Sequence, residues 1–298
     1  LTVKKTTTPQ LVVYPLQYIP EVTEGTVPTS GTPIAVGLNS MISIKKDGQW
    51  VEVAQLGPED LAGLTQGPQK YPVQVKYNPV DSNLLKIAVN SANYGTPTGT
   101  ISTSLSFILA AYFNGTINYI VFSGVRPGQI QYDRDIGKPD VVSIDLVCMS
   151  IAAPTSSAPT GLTLVTTFLT GPAWNWLSGG ANPLTDGGSS QDCKKFSITV
   201  NRNVKEDYTL GNLNPFGTQP HGRRIAWNAD CLWDSQSTFE SDFAAGTPRT
   251  MILTLLTSTS VLTLSNAYKT NYSRDEDVSS DMSIVETATG KAFTVGVT

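Results

Sequence analysis

The sequence of 298 residues predicts a mainly β protein made of two tandem β-sandwich or barrel domains, each with one short flanking α-helix. Three observations carry that reading. Apolar residues recur with period two in short runs, the spacing of half-buried strands. One order of elements occurs twice: an alternating strand, an Asp-Ser step, a short helical pattern, further strands, then Tyr-x-Arg-Asp. Between the two copies lies Ala152–Gly161, rich in Pro, Ser, Thr and Ala, which reads as a linker.

In chain order, residues 1–33 come first. Pro9, Pro15, Pro20, Pro28 and Pro33 exclude a helix and disfavour a central strand, so an extended arm is expected, draped on its own domain or reaching a neighbour. The first domain is expected over 34–152. Met41–Lys45 and Trp50–Val53 read as strands joined at the turn signal Asp47-Gly48. Val73, Val75 and Tyr77 alternate, a helix is expected over Asp81–Val89, and strands follow at Ser104–Phe113 and Asn118–Phe122 before Tyr132-Asp133-Arg134-Asp135.

After the linker at 153–160, the second domain is expected over 161–298. Thr163–Leu169 reads as its first strand, and Pro172–Ser190 as a long irregular loop whose Trp174 and Trp176 dock on something. Phe196, Ile198 and Val200 alternate, as do Ile225, Trp227, Ala229, Cys231 and Trp233. A helix is expected over Asp234–Ala245, with Ser237-x-x-Glu240 as a capping box, Phe239 and Phe243 on one face, and Gly246 as its stop. Thr250–Leu256 and Val261–Leu264 read as strands, and Tyr272-Ser273-Arg274-Asp275 closes the copy.

Composition narrows the function. Charged residues are 15%, well under the ~25% typical of soluble domains, so much of the surface is Ser, Thr, Asn, Gln and Gly. Such a surface is cheap to desolvate and suits a subunit buried by neighbours; a secreted polar β-protein fits the composition equally. Net charge is −4 and the pI about 5.0, which gives no basic footprint for gripping nucleic acid. Cys148, Cys193 and Cys231 are too few and scattered for a disulfide framework or a zinc site, and Cys231 is expected as a buried free thiol. The longest apolar run, Phe107–Phe113, is far short of the ~20 residues a membrane helix needs, and no signal peptide is read at the N-terminus.

No motif assembles an active site, and no catalytic, cofactor or metal residue is assigned. His221, the only histidine, sits in a Pro-His-Gly turn with no nucleophile to pair with. Asp133-x-Asp135 and Asp275-x-Asp277 lack the remaining ligands of a calcium loop and read as solvated, or as ion pairs with the intervening Arg. Asn114-Gly-Thr116 and Asn271-Tyr-Ser273 fit the glycosylation triplet, a pattern common by chance.

Ser123-Gly-Val-Arg-Pro-Gly-Gln-Ile-Gln-Tyr132, followed by Gly137-Lys-Pro139 and the strand Val141–Val147, resembles the first-domain pattern of tail tube proteins of bacteriophages and archaeal viruses. Phe196–Val204 with its paired-Asn turn, then Tyr208-Thr-Leu-Gly211, Gly222-Arg-Arg-Ile225 and the Phe239/Phe243 helix, is similar to the second. The resemblance spans roughly 70–150 and 195–275. It implies a structural virion protein, not an enzyme and without a cofactor, of the two-domain, trimeric-ring type. Homotrimeric rings, pseudo-hexameric because each chain supplies two like domains, would stack into a tube delivering the genome. Implied partners are further copies of the chain, other tail proteins such as tape measure and terminator, and double-stranded DNA passing without specific binding; no membrane is implied. The location would be the virion tail, after assembly in the host cytoplasm. A polar, net acidic channel lining is expected on alternate strand residues, with Ala226, Asn228, Asp230 and Leu232, or Gln74, Lys76 and Asn78, as candidates. A reading from a different class is a two-domain binding module, a tail fibre or carbohydrate-binding sandwich, with Trp174 and Trp176 stacking on sugar.

Overall fold

The computed structural model describes residues 11–297, apart from 46, 49, 55–60, 91–103, 114, 176, 179, 181–182, 221, 233–237, 256–259 and 277–283. The first half of the chain runs β1 (Leu11–Val12), β2 (Gln17–Pro20), β3 (Ile34–Ala35), β4 (Leu38–Ile44), β5 (Trp50–Ala54), β6 (Leu61–Gln66), β7 (Pro72–Asn78), α1 (Asn83–Asn90), β8 (Leu105–Phe113), β9 (Thr116–Asp135), β10 (Val141–Val147) and β11 (Ser150–Ile151). The second runs β12 (Leu184–Asp186), β13 (Ser189–Gln191), β14 (Cys193–Asn201), β15 (Val204–Asp207), β16 (Gly217–Pro220), β17 (Arg224–Leu232), α2 (Phe239–Ala245), β18 (Arg249–Thr254), β19 (Val261–Glu276), β20 (Ile284–Ala292) and β21 (Thr294–Val297).

The fold is mainly β and sandwich-like. Its broadest layer is an antiparallel sheet in the order β4-β7-β10-β9-β14-β17-β20-β19. Two smaller sheets, β3-β2-β8-β9-β11 and β13-β12-β18-β19-β21, cover it. The long strands β9 and β19 belong to two sheets each. β9 pairs with β8 through Val125 and with β10 from Arg126 onward. The hairpins β5–β6 and β15–β16 form separate two-stranded ladders. Apart from the short β1–β8 contact, every pairing inside the first half has a counterpart inside the second.

Alternation decides which side of the broad sheet meets the core. Val73, Val75 and Tyr77 of β7 are buried, as are Phe196, Ile198 and Val200 of β14 and Ile225, Trp227, Ala229 and Cys231 of β17. One continuous apolar cluster draws on both halves. Gly290 is obligatory in it, because a Cβ there would overlap the Tyr268 carbonyl and the Trp227 indole.

Both helices form where the sequence pattern places them, with shifted starts. α1 begins at Asn83, whose N–H donates to the Asp81 carboxylate, and buries Leu84, Leu85, Ala88 and Val89. α2 begins at Phe239 rather than Asp234, and Ser237 of the expected capping box lies outside the described residues. Its N-cap is Thr238, whose hydroxyl donates to Asp186 instead of capping the helix (2.9 Å). Gly246, at φ 62°, closes it in the left-handed region that glycine tolerates.

Several strand expectations change. β4 pairs with β7 and β5 with β6, so Asp47-Gly48 joins no hairpin; Asp47 bridges to Lys70. Thr163–Leu169 is not a strand, since its one ladder contact is Thr163 N–H to the Gly31 carbonyl. Part of the proline-rich arm takes a regular place in its own chain's sheet. β2 starts two residues after Pro15, ends at Pro20, and pairs with β8 on one side and β3 on the other. Two carboxylates fasten the segment after β2. Glu21 accepts from Ser104, Ser106 and the Gly124 N–H, while Glu24 accepts from Arg126, the Thr218 hydroxyl and the Thr218 N–H. Burial alone would push the Glu24 carboxyl up, but the bonds from Arg126 and Thr218 outweigh it and hold it below the usual range.

The loop Pro172–Ser190 also docks on its own chain. Trp174 is buried, its backbone N–H donates to the Pro79 carbonyl, and its carbonyl accepts from the Asp140 N–H, while β12 and β13 occupy the loop's end. Cys231 is not a free thiol. A bulge between Cys193 and Lys195 sets Cys193 opposite it, and the two form a disulfide bridging β14 and β17; Cys148 remains a buried thiol.

Under α2, Lys269 is fully buried between Asp186 (2.7 Å) and Asp242 (2.8 Å), with Arg249 also on Asp242. Burial would raise the Asp242 carboxyl, yet Arg249 and Lys269 hold it below the ordinary range. Lys269→Met should therefore cost about 3–5 kcal/mol in chemical denaturation by stranding Asp186, and adding Asp186→Asn should recover part of that. Because Asp242 is depressed in the folded state, its contribution is present above the unfolded carboxylate range near pH ~4 and fades as pH drops toward the folded value. The Asp242→Asn variant should thus show a flatter melting temperature against pH below ~4 than the parent.

Candidate functional site: an open polar sheet face and its two edges

Among the described residues no layer covers the outward face of the broad sheet. Its residues are set by the register, because every second residue of each strand points away from the core. One row runs Met41, Lys76, Ser143, Gln131, Thr199, Ala226 and Lys291 across seven strands. A parallel row runs Asp135, Lys195, Asp230, Thr287 and Ser273. The face is polar, and short hydrogen bonds tie neighbours together: Gln74 donates to Asp145, Gln131 to Asp133 and Thr287 to Asp230.

Its charge is balanced, not net acidic. Among the described residues Asp133, Asp135, Asp145 and Asp230 face Lys76, Lys195, Arg224 and Lys291. Pairing explains the balance. Lys195 lies directly between Asp135 and Asp230, where a third carboxylate would repel both. Lys138, bonded to Asp135 at 2.6 Å, and the nearby Lys195 hold the Asp135 carboxyl below its ordinary range.

The Tyr-x-Arg-Asp phrase divides between the two faces. Asp133 and Asp135 point outward, while Tyr132 and Arg134 point inward, so neither carboxylate pairs with the intervening Arg. Arg134 meets Asp140 at 2.6 Å, and Tyr132 donates to the same buried carboxylate. Arg134 also donates to the carbonyls of Thr254 and Leu255 (2.8 Å each), beyond the joint between halves. Parity with Tyr132 was the sequence signal for this inward role. Its echo Arg274 lies at the far edge of the sheet, a third exposed and 3.6 Å from Glu240.

That joint is the pairing of β9 with β14, an unbroken antiparallel ladder from Lys195–Asp135 to Asn201–Gln129. It closes one edge of each half. Among the described residues the remaining edges of the broad sheet are β4 and the end of β19, which pair on one side only. Asn39 and Asn271, on these edges, reach inward to Asn78 and Thr289. Open edges of this length are templates for another chain.

The other candidate residues do not gather. Trp174 is buried and unable to stack on a ligand; Trp176, His221, Asn114 and Asp277 lie outside the described residues. Among the described residues no cluster could hold a metal ion, and no helix is long and apolar enough to cross a membrane. The sequence pattern of a known family, described as phage tail tube protein, matches residues 15–292. No curated protein matches the chain.

Because the open face bears on no core, charge reversal there should leave the fold intact. Lys76→Glu, Arg224→Glu and Lys291→Glu should each shift unfolding free energy by no more than about 0.5 kcal/mol in denaturant titration. A larger loss would mean that another layer covers this face.

Proposed function

The chain belongs to the phage tail tube protein family, a structural component of the virion tail, and from that premise we propose that its open polar face lines a channel for genome delivery. The observation that carries this reading is the β9–β14 ladder, which already joins two like halves edge to edge. Strand by strand, β4-β7-β10-β9 and β14-β17-β20-β19 have the same order, and α1 and α2 follow β7 and β17, which supports descent from one duplicated domain. The like units are then 34–152 and 161–298, with 153–160 as the connection.

If the halves are equivalent, the open end of β19 matches the end of β9, and β4 matches β14. The edge that β14 satisfies inside the chain is satisfied between chains by β4 of the next copy. Three chains then form a ring of six similar units. With strands ~4.8 Å apart and tilted roughly 40°, three eight-stranded sheets close at a backbone diameter of about 48 Å. Side chains of about 5 Å on each wall leave roughly 38 Å, wide enough for double-stranded DNA. A lining whose lysines and arginines are matched by aspartates offers little net counterion release, so a duplex passes without being held. Tape measure and terminator proteins, inside and at the end of such a tube, are the further partners, and assembly takes place in the host cytoplasm.

The ladder also sets the expected register. Tyr272 takes the place of Tyr132 and Ile42 that of Ile198, which puts Met41 of one copy opposite Ser273 of the next, as Ser197 lies opposite Asp133. A chain carrying both Met41→Cys and Ser273→Cys should, on mild oxidation, give a non-reducing gel ladder that ends at three chains, and each single variant should give none. Dispersed monomers in micrographs together with no cross-link would overturn the ring.

A further inference from the structure

We propose that the buried side chains of Lys269 and Asp186 join in an intramolecular amide bond, with loss of one water, and that Asp242 relays a proton in forming it. The site lies under α2, apart from the open face, and the proposal does not depend on the ring.

Lys269 stands at an inward position of β19, in the parity of Ala267, and its side chain is wholly removed from solvent. Its Nζ lies 2.7 Å from Oδ2 of Asp186, which is fully buried, and 2.8 Å from Oδ2 of Asp242. The buried Phe239 ring lies 5.5 Å from the same nitrogen. A nitrogen 2.7 Å from a carboxylate oxygen is roughly 3.5 Å from the carbon that bears it, at the edge of near-attack range.

The hydrogen bonding suits the amide better than the ion pair. Among the described residues Oδ1 of Asp186 has no hydrogen-bond partner, while Oδ2 takes both Lys269 and the Thr238 hydroxyl. An ionised carboxylate with one oxygen dry and unpaired is costly. In the amide Oδ1 is gone, Oδ2 becomes a carbonyl oxygen that keeps the Thr238 bond, and the remaining N–H donates to Asp242. Charge balance is kept as well. Lys269 and Arg249 meet Asp186 and Asp242 here; the reaction removes one charge of each sign and leaves Arg249 bonded to Asp242.

The step balances without a co-reactant. One proton of the Lys269 ammonium passes to the Asp186 carboxylate, giving an amine and an acid. The nitrogen lone pair attacks Cγ, and the Thr238 hydroxyl stabilises the oxyanion on Oδ2. Asp242 takes the second proton from nitrogen and delivers it to the departing hydroxyl, the bond from Cγ to Oδ1 breaks, and water leaves. The link ties β12 to β19 across 83 residues of sequence, with α2 and β18 inside the closed loop.

Intact-mass measurement of the full chain, after reduction of its disulfide, tests this. The expected mass is that of the sequence less one water, and a digest should yield a branched peptide containing both Asp186 and Lys269. Lys269→Arg should show the full mass. Asp242→Asn keeps both reacting groups and should form the link roughly 100-fold more slowly when mass is followed from synthesis onward. The unsubstituted chain decides the case whether or not these variants fold. Full mass after prolonged incubation would overturn the proposal. So would a lost water with Lys269 recovered in a linear peptide, the result that a cyclic imide at Asp186-Gly187 would give. A link formed at the parental rate in Asp242→Asn would overturn the relay.

Discussion

Unsatisfied backbone at a sheet edge is the constraint on which this fold turns. Each half of the chain builds four strands of the broad sheet, and four strands expose two rows of amide and carbonyl groups. The β9–β14 ladder removes one row from each half. Arg134 then fastens the joint from within, because its guanidinium satisfies Asp140 on its own side and two carbonyls on the other. Losing that guanidinium would leave the buried Asp140 carboxylate with the Tyr132 hydroxyl but no countercharge, and two carbonyls without their donor, so joint and core stand together.

Buried charge is used in the same way elsewhere. Glu24 and Arg126 join three parts of the chain: the N-terminal segment, the bend of β9 and the hairpin strand β16. Lys269 joins β12, α2 and β19. Each cluster sits where elements distant in sequence meet, at positions where an apolar contact would hold less specifically. A single neutral replacement in such a cluster is costly, since one charge removed leaves another stranded.

What could be read in the sequence was whatever depends on local period. The alternation of β7, β14 and β17 and both short helices were legible because each reports which side of a strand or helix faces the core. The family resemblance rested on the same segments. Partners across the sheet were not legible. Met41–Lys45 and Trp50–Val53 looked like one hairpin because Asp47-Gly48 lay between them, yet pairing with β7 sets a half-buried Ile42 opposite the buried Val75 and wins. Cys193 and Cys231 are 38 residues apart, and only the bulge at Lys195 brings them opposite. The N-terminal prolines argued against strand, but β2 needs only the four residues ending at Pro20. The polarity of the open face followed from alternation; its neutrality did not, because charge balance is set by neighbours on other strands.

The two halves share an order of strands but not their sequences, and this fixes how finely a stack can be indexed. The Cys193–Cys231 bridge exists in one half only, since the other half carries a single cysteine. In the proposed ring of six units it would recur at every second position, so the wall would look six-fold from its backbone and three-fold from its side chains. A ring can then seat on the one below at rotations that differ by a third of a turn, never by a sixth. Half of the settings that backbone symmetry would permit would thereby be forbidden, and angular order would be carried from one ring to the next along the proposed tube.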